Sequence, residues 1–554
     1  MTLFSILKKT ALILSLAFIP APCMSQENKP YKSPKLVVGI VVDQMRYDYI
    51  TRFYNRFGEG GFKRMIKEGY NFKNSHFNYV PTFTGPGHAS IFTGTTPQNH
   101  GIMSNDWYDR LSKKVVYCVG DSLVKPVGSD SPFEKMSPRR LKTTTITDQN
   151  RLHTQMKGKT IGIGIKDRGA ILPAGHTANG AYWFRGKDEG KWITSTYYRN
   201  ELPGWVKRFN NSDQAASYLK VWNTLYDINT YTESGSDQNA FEKGFKGKKA
   251  VTFPYDLAKL KDQNGGFDII KSSGYGNSLT ADFAIAAIDG EQLGADDITD
   301  FLTVSFSSTD AVGHKFGVNS KEIQDTYLRL DQDLERFFKA LDTKVGKGQY
   351  TVFLTSDHGA IHVPSYLKTL NIPSGYFNRY QLKSKINDFI KERFKADGLI
   401  ENMSINQLFF NYKALRKHNI DRKELEDALL DYVILNEHIH KVYTRSQMES
   451  AQYTSGIGAL LQNGFNQKYS GDVFFILNPS TISHSSSTAF KGSTHGSGMA
   501  YDTHVPLLFY GHGIKQGSTT LKTYITDIVP TISALLGIAF PNGATGDVLP
   551  FVLD

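Results

Sequence analysis

An α/β fold, with a mainly parallel central sheet flanked by helices and inserted cap segments, is predicted by three observations. Short β-branched runs of strand length alternate with helical patterns along the 554 residues, the signature of strand–helix units. The runs are apolar almost throughout rather than alternating, as in strands covered on both faces. Several of them end directly in a polar residue. In chain order, Leu36 to Val42 reads as the first strand and leads to Asp43. The segment Val80 to Gly94, rich in Gly, Pro and hydroxyl residues, reads as a strand-to-helix turn around Thr84. Thr160 to Ile165 leads to Lys166-Asp167-Arg168, and Phe301 to Phe306 leads to Asp310 and His314. From about Ser320 to Leu341, Ile323, Tyr327, Leu330, Leu334, Phe337 and Leu341 recur at alternating four- and three-residue steps, one apolar stripe of a helix. Tyr350 to Leu354 leads to Asp357-His358, Val505 to Tyr510 is a further strand, and Asp527 to Leu536 is a helix ended by Gly537. The stretches of about 182–265, irregular and rich in Trp, Tyr, Asn and Gly, and of about 367–467 read as insertions. The second carries basic amphipathic helices around Lys383 to Lys395 and Arg422 to Leu435 and is expected to form a cap on the sheet.

Residues 1–25 differ from the rest. Lys8 and Lys9 precede the apolar run Thr10 to Ile19, which gives way to Pro20-Ala21-Pro22-Cys23-Met24-Ser25. That pattern is a secretory signal peptide, too short to span a bilayer. Cleavage after Ser25 would leave residues 26–554 as one catalytic domain exported to the periplasm, with no transmembrane segment in the mature chain. Cys23 raises lipidation, which Pro20 and Pro22 disfavour. Only two cysteines exist, so the mature chain keeps Cys118 and no internal disulfide, and any metal must be held by His, Asp or Glu. The formal charge of +11 is spread along the chain without a basic arm. It favours attraction of small anionic substrates over a nucleic-acid partner. The sequence leaves the oligomeric state open, and a monomer is compatible with it.

Ligands of open α/β sheets bind at the carboxyl ends of the strands, where Asp43, Asp310, Asp357 and Lys166 would converge. Any one of these Asp residues alone reads as readily as a turn or helix cap; several in parallel do not. Asp310 and His314 are spaced to share one metal from a helical turn, and Asp357 and His358 are adjacent. Asp and His suit Zn²⁺ where no thiolate is available, although other divalent ions take the same donors. Neither H-E-x-x-H nor G-x-x-x-x-G-K-[ST] occurs. Thr84 is placed at a helix N-terminus, where an anion is favoured, and a metal on its oxygen would make it a nucleophile. The same segment also fits a plain helix cap. His438 and His440 read as exposed, and His76, His88, His100 and His176 as structural or supporting.

Asp43, the Thr84 turn, Asp310-x-x-x-His314, Asp357-His358, Gly492-Ser493-Thr494-His495-Gly496 and Tyr524 to Thr531 together resemble the alkaline phosphatase superfamily, in the right order over most of the chain. Within it the chain is most similar to the phosphate-irrepressible, PafA-type alkaline phosphatases. The resemblance implies two Zn²⁺ per chain, one on Asp310, His314 and His495 and one on Asp43, Asp357 and His358, with Thr84 between them. It also implies phosphate contacts from Lys166, Arg168 and Asn105, and hydrolysis of small-molecule phosphate monoesters through a phosphothreonine intermediate. His484 and His504 lie near His495, and only the family motif chooses among them. Sulfatases need a Cys or Ser where Thr84 stands. Nucleotide pyrophosphatase/phosphodiesterases share the threonine turn and are the alternative, separated here by Lys166 and Arg168. A non-catalytic zinc- or phosphate-binding protein is a third reading, disfavoured by the complete ligand set.

Overall fold

The structure, a computed structural model, describes residues 32–484 and 491–554. The leader read at residues 1–25, with Cys23, lies outside them. Eight strands build the body of one 11-stranded sheet: β1 (Leu36–Val42), β2 (Tyr70–His76), β3 (Thr160–Gly164), β4 (Gly180–Arg185), β5 (Lys191–Ser195), β6 (Asp300–Phe306), β7 (Tyr350–Thr355) and β8 (His504–Gly511). β7, β1, β6, β3 and β4 lie side by side in parallel. β8 and β2 continue one edge antiparallel and β5 the other. The expected parallel core is therefore present, with Val505 to Tyr510 joining it in the opposite sense.

β1 shows why an unbroken apolar run was needed. All seven of its residues are buried. Val38, Ile40 and Val42 pack into one cluster, and Val37 and Val41 into another across the sheet. The first cluster holds the helices Tyr275–Glu291 and Lys321–Leu341; the second holds Ile91, Phe92 and Ile528 to Ile532. Every residue of the stripe on Lys321–Leu341 is at most 1% exposed, and Ser320 caps the helix by accepting the Ile323 amide at 3.1 Å.

Two insertions behave differently. The stretch 182–265 is not wholly irregular: Trp183, Phe184, Trp192 and Ile193 are buried in β4 and β5, so the sheet runs into it. The second region has its own core. Helices Arg379–Phe394 and Arg422–Val433 pack on a four-stranded sheet of Ile400–Ser404, Gln407–Phe410, Val473–Leu477 and Ile439–Thr444, around Ile386, Leu408, Leu429 and Phe475. That sheet needs Val473–Leu477, beyond the end read from the sequence. The cap meets the main body near the Thr84 turn, where Val80 donates its amide to Leu460 O at 3.0 Å. Among the described residues no helix is long and apolar enough to cross a membrane. Leu334→Ala should cost about 2–5 kcal/mol of stability by leaving a cavity between helix and sheet. A urea-unfolding midpoint indistinguishable from wild type would contradict that packing.

Candidate metal centre

The carboxyl ends of β1, β3, β6 and β7 deliver the charged groups to one rim. Asp43 follows β1 directly. Asp310 and His314 sit on the helix Ser308–Phe316 that follows β6, Asp357 and His358 follow β7, and Lys166 follows β3. Thr84 begins the helix Thr84–Thr93, entered from an extended Phe83. That helix comes close because of Gly87, where a Cβ would lie 2.3 Å from Asp357 O.

Two sets of ligand-type atoms result, each within a few ångströms: Asp310, His314 and His495, as expected, and Asp43, Asp310 and His358, in which Asp310 stands where Asp357 was expected, while Asp357 approaches His358 but joins neither set. His314 Nε2 is 3.1 Å and His495 Nε2 3.6 Å from Asp310 Oδ1. His358 Nε2 lies 3.5 Å from Asp43 Oδ1 and 3.6 Å from Asp357 Oδ2. Asp43 Oδ1 is buried without a hydrogen-bond partner and Asp357 Oδ2 has His88 Nδ1 3.3 Å away, a costly arrangement for buried carboxylates unless something positive binds them. The histidines are prepared for it. Nδ1 of His314 faces Ser493 O at 2.8 Å, of His358 Gly359 O at 3.0 Å, and of His495 Thr82 O at 2.8 Å. A carbonyl only accepts, so each Nδ1 carries the proton and each Nε2 presents a lone pair. Oxygen and imidazole donors in this number fit divalent cations such as Zn²⁺.

The electrostatics favour them too. Asp43, Asp310 and Asp357 are at most 4% exposed. Burial and the nearby Asp357 push the Asp43 carboxyl well above its usual range, despite Lys166. At Asp310 burial opposes ionisation, but His314, when its ring is protonated, and Lys166 hold the carboxyl well below that range. Lys166 Nζ stands 2.6 Å from both Asp43 Oδ2 and Asp310 Oδ2, and 3.5 Å from Thr84 Oγ1. One ammonium among three carboxylates leaves a deficit of positive charge.

Around this group, Asn105 Oδ1 accepts the Gly85 amide at 2.7 Å, leaving Nδ2 as the remaining donor of its side chain. Arg168 Nη1 donates to Tyr117 Oη at 3.0 Å, Tyr117 in turn donates to Asp167, and Arg168 Nε is buried without a partner. His88 bridges Thr84 O and Ser305 Oγ, at 2.9 Å each. His76, His100 and His176 bond elsewhere. His440 is exposed on the cap, and His438 packs beside Phe377.

Gln44 and Tyr117 went unnoticed in the sequence. Gln44 adopts a left-handed backbone, φ 65°, and is 2% exposed. Its amide N–H donates to Asp357 Oδ1 at 3.1 Å and its Nε2 to Asp310 Oδ1 at 2.7 Å. Its Oε1 fills the space over Gly313, where a Cβ would come within 1.9 Å. One residue thus ties together carboxylates from two strand ends. Strained backbone at such a point is typical of sites where orientation matters.

A family model described as type I phosphodiesterase / nucleotide pyrophosphatase matches residues 37–498. The chain is 46% identical to the alkaline phosphatase PafA of Elizabethkingia meningoseptica, covering 96% of each. It is 44% identical to a Myroides odoratus protein named calcium-transporting ATPase, covering 97% of this chain and 98% of that one. A crystal structure of wild-type alkaline phosphatase PafA superposes with a TM-score of 0.90 at 46% identity, covering 94% of this chain and 99% of that chain.

Gln44→Leu, close in size but unable to donate, should weaken divalent-metal binding by about 10- to 100-fold, as loss of an outer-shell partner does. Competition with a chromophoric chelator measures it; an unchanged Kd would remove Gln44 from the support of the site.

Proposed function

The chain belongs to the type I phosphodiesterase / nucleotide pyrophosphatase family, and on that premise we propose that it is an alkaline phosphatase that hydrolyses phosphate monoesters and releases inorganic phosphate. The observation that carries this reading is the meeting of Lys166 with Asp43, Asp310 and Thr84, with Arg168 held close behind by Tyr117. A monoester brings two negative charges and three non-bridging oxygens, which two cationic side chains beside a metal centre can neutralise. A diester brings one charge fewer and a second organic group. The family's name keeps phosphodiesterase activity as the alternative. The name of the Myroides relative points to ion transport, but no described helix could cross a bilayer.

In this reading Asp310, His314 and His495 hold one Zn²⁺, and Asp43, Asp357 and His358 the other. Bound there, the ions would supply Lewis acidity to the Thr84 oxygen, to the leaving oxygen and to the hydrolytic water. Thr84 Oγ1 attacks phosphorus in line; its bond to phosphorus forms as the bond to the leaving oxygen breaks. The alcohol departs and phosphate stays esterified to Thr84. Water then attacks the same phosphorus, releasing phosphate and restoring the hydroxyl. Lys166, Arg168 and Asn105 offer donors to the non-bridging oxygens during both displacements, and His88 anchors the turn that aims Thr84. The leader at residues 1–25 supports export, which would place this chemistry in the periplasm.

Thr84→Ala in metal-loaded protein should lower kcat by at least about 10³-fold; full activity would exclude Thr84 as nucleophile. Lys166→Ala and Arg168→Ala should each cost an aryl phosphate roughly 10²-fold in kcat/KM and a bis-aryl phosphate clearly less. Equal losses on both esters, or a higher wild-type kcat/KM on the diester, would favour the phosphodiesterase. Chelator treatment should abolish turnover and Zn²⁺ restore it; restoration by Mg²⁺ alone would reject zinc.

A further inference from the structure

We propose that the cavity between the cap and the Thr84 turn is the subsite for the organic group esterified to phosphate, and that it takes an apolar, ring-sized group carrying a hydrogen-bond donor. The proposal rests on the phosphomonoesterase reading above. The cavity measures about 270 Å³, near the lower end of the roughly 300–1,000 Å³ usual for small-molecule sites. One wall belongs to the reaction centre, through Phe83, the residue before Thr84, and His495. The opposite wall belongs to the cap, through Met403, Ile405, Phe474 and Ile476. A group attached to phosphorus at Thr84 therefore has a partly apolar cavity beside it, reached past Phe83 and His495 and too small for a nucleic-acid strand.

The lining is mixed, with Arg379, Gln407, Asn478 and Tyr501 among its polar members, and two of its polar atoms lack partners. Ser404 Oγ and Asp502 Oδ1 are buried with no hydrogen-bond partner, while the other oxygen of Asp502 accepts from the Ser497 amide and hydroxyl at 2.7 and 2.6 Å. Unpaired buried acceptors are costly, and a hydroxyl or amine on the bound group would satisfy them. The cap also holds a strained residue on this wall. Ile405 and Asn406, at φ 53° and 57°, form the tip between Ile400–Ser404 and Gln407–Phe410. A two-residue tip with both positions left-handed favours Asn, Asp or Gly, and a β-branched residue there is an outlier. Such strain collects where ligands are clamped. The Ile405 side chain lines the cavity and also packs on the buried cluster around Trp107, so it fixes the cap wall against the main body.

Ser404→Phe narrows the cavity without altering any group assigned to the reaction. The ratio of variant to wild-type kcat/KM is measured for a hydroxylated naphthyl phosphate and for methyl phosphate, so that intrinsic leaving-group reactivity cancels. The naphthyl ester should lose about tenfold or more, as pocket contacts are lost, and methyl phosphate less than about twofold. Inhibition by inorganic phosphate should not change. Equal effects on both esters, or none, overturn the subsite. Ser404→Ala, which keeps the space open, should retain at least half of the wild-type value on the naphthyl ester with its ring hydroxyl removed; a tenfold loss there would also overturn it. If circular dichroism shows Ser404→Phe to be unfolded, Met403→Trp on the same wall takes its place with the same two outcomes. A folded, metal-loaded wild type that cleaves neither ester would instead reject the phosphomonoesterase reading.

Discussion

Three carboxylates are buried together at the ends of adjacent strands, and this constraint organises the molecule. Asp43, Asp310 and Asp357 are almost fully removed from water, where like charges repel strongly and ionisation is penalised by lost hydration. Only nearby positive charge and well-aimed donors make the arrangement tolerable. Lys166 supplies one charge between Asp43 and Asp310. The three imidazoles, turned by backbone carbonyls so that their lone pairs face inward, prepare the place for the rest. The parallel order of β7, β1, β6 and β3 is what brings these groups to one rim from distant parts of the chain.

Precision at that rim comes from stiffness beneath it. Two apolar clusters grip opposite faces of β1, so its end cannot shift without disturbing both. From there Gln44 reaches to the ends of β6 and β7, and Met45 donates its amide to Ser356 Oγ at 2.8 Å. Thr84 comes from a helix of the second cluster, fitted against Asp357 through a glycine. The candidate ligands, the groups that support them and Thr84 thus share one rigid frame, as multi-ligand metal sites require.

Much of this frame was legible in the sequence because its signals are strong and local. β1 is an unbroken apolar run, and the helix Lys321–Leu341 shows a regular stripe whose members are all buried. The first part of the 182–265 stretch was misread as irregular because its two strands are short and their Trp and Phe residues stand among Gly and polar residues. His495 could not be chosen by spacing: it reaches Asp310 only through the fold, and the family motif was needed to prefer it over its neighbours. Gln44 and Tyr117 were illegible for a different reason. Neither side chain is a usual zinc ligand, and their roles lie in a backbone conformation and in contacts that only the assembled rim creates.

The cap has a buried cluster of its own, separate from the clusters that hold the sheet. Its folding energy and that of the reaction centre are therefore drawn from largely different residues. Substitutions in the cap can accumulate, or the whole insert can be exchanged for another, while the strand ends that hold the carboxylates keep their positions. A laboratory graft of one cap onto another frame would follow the same seam.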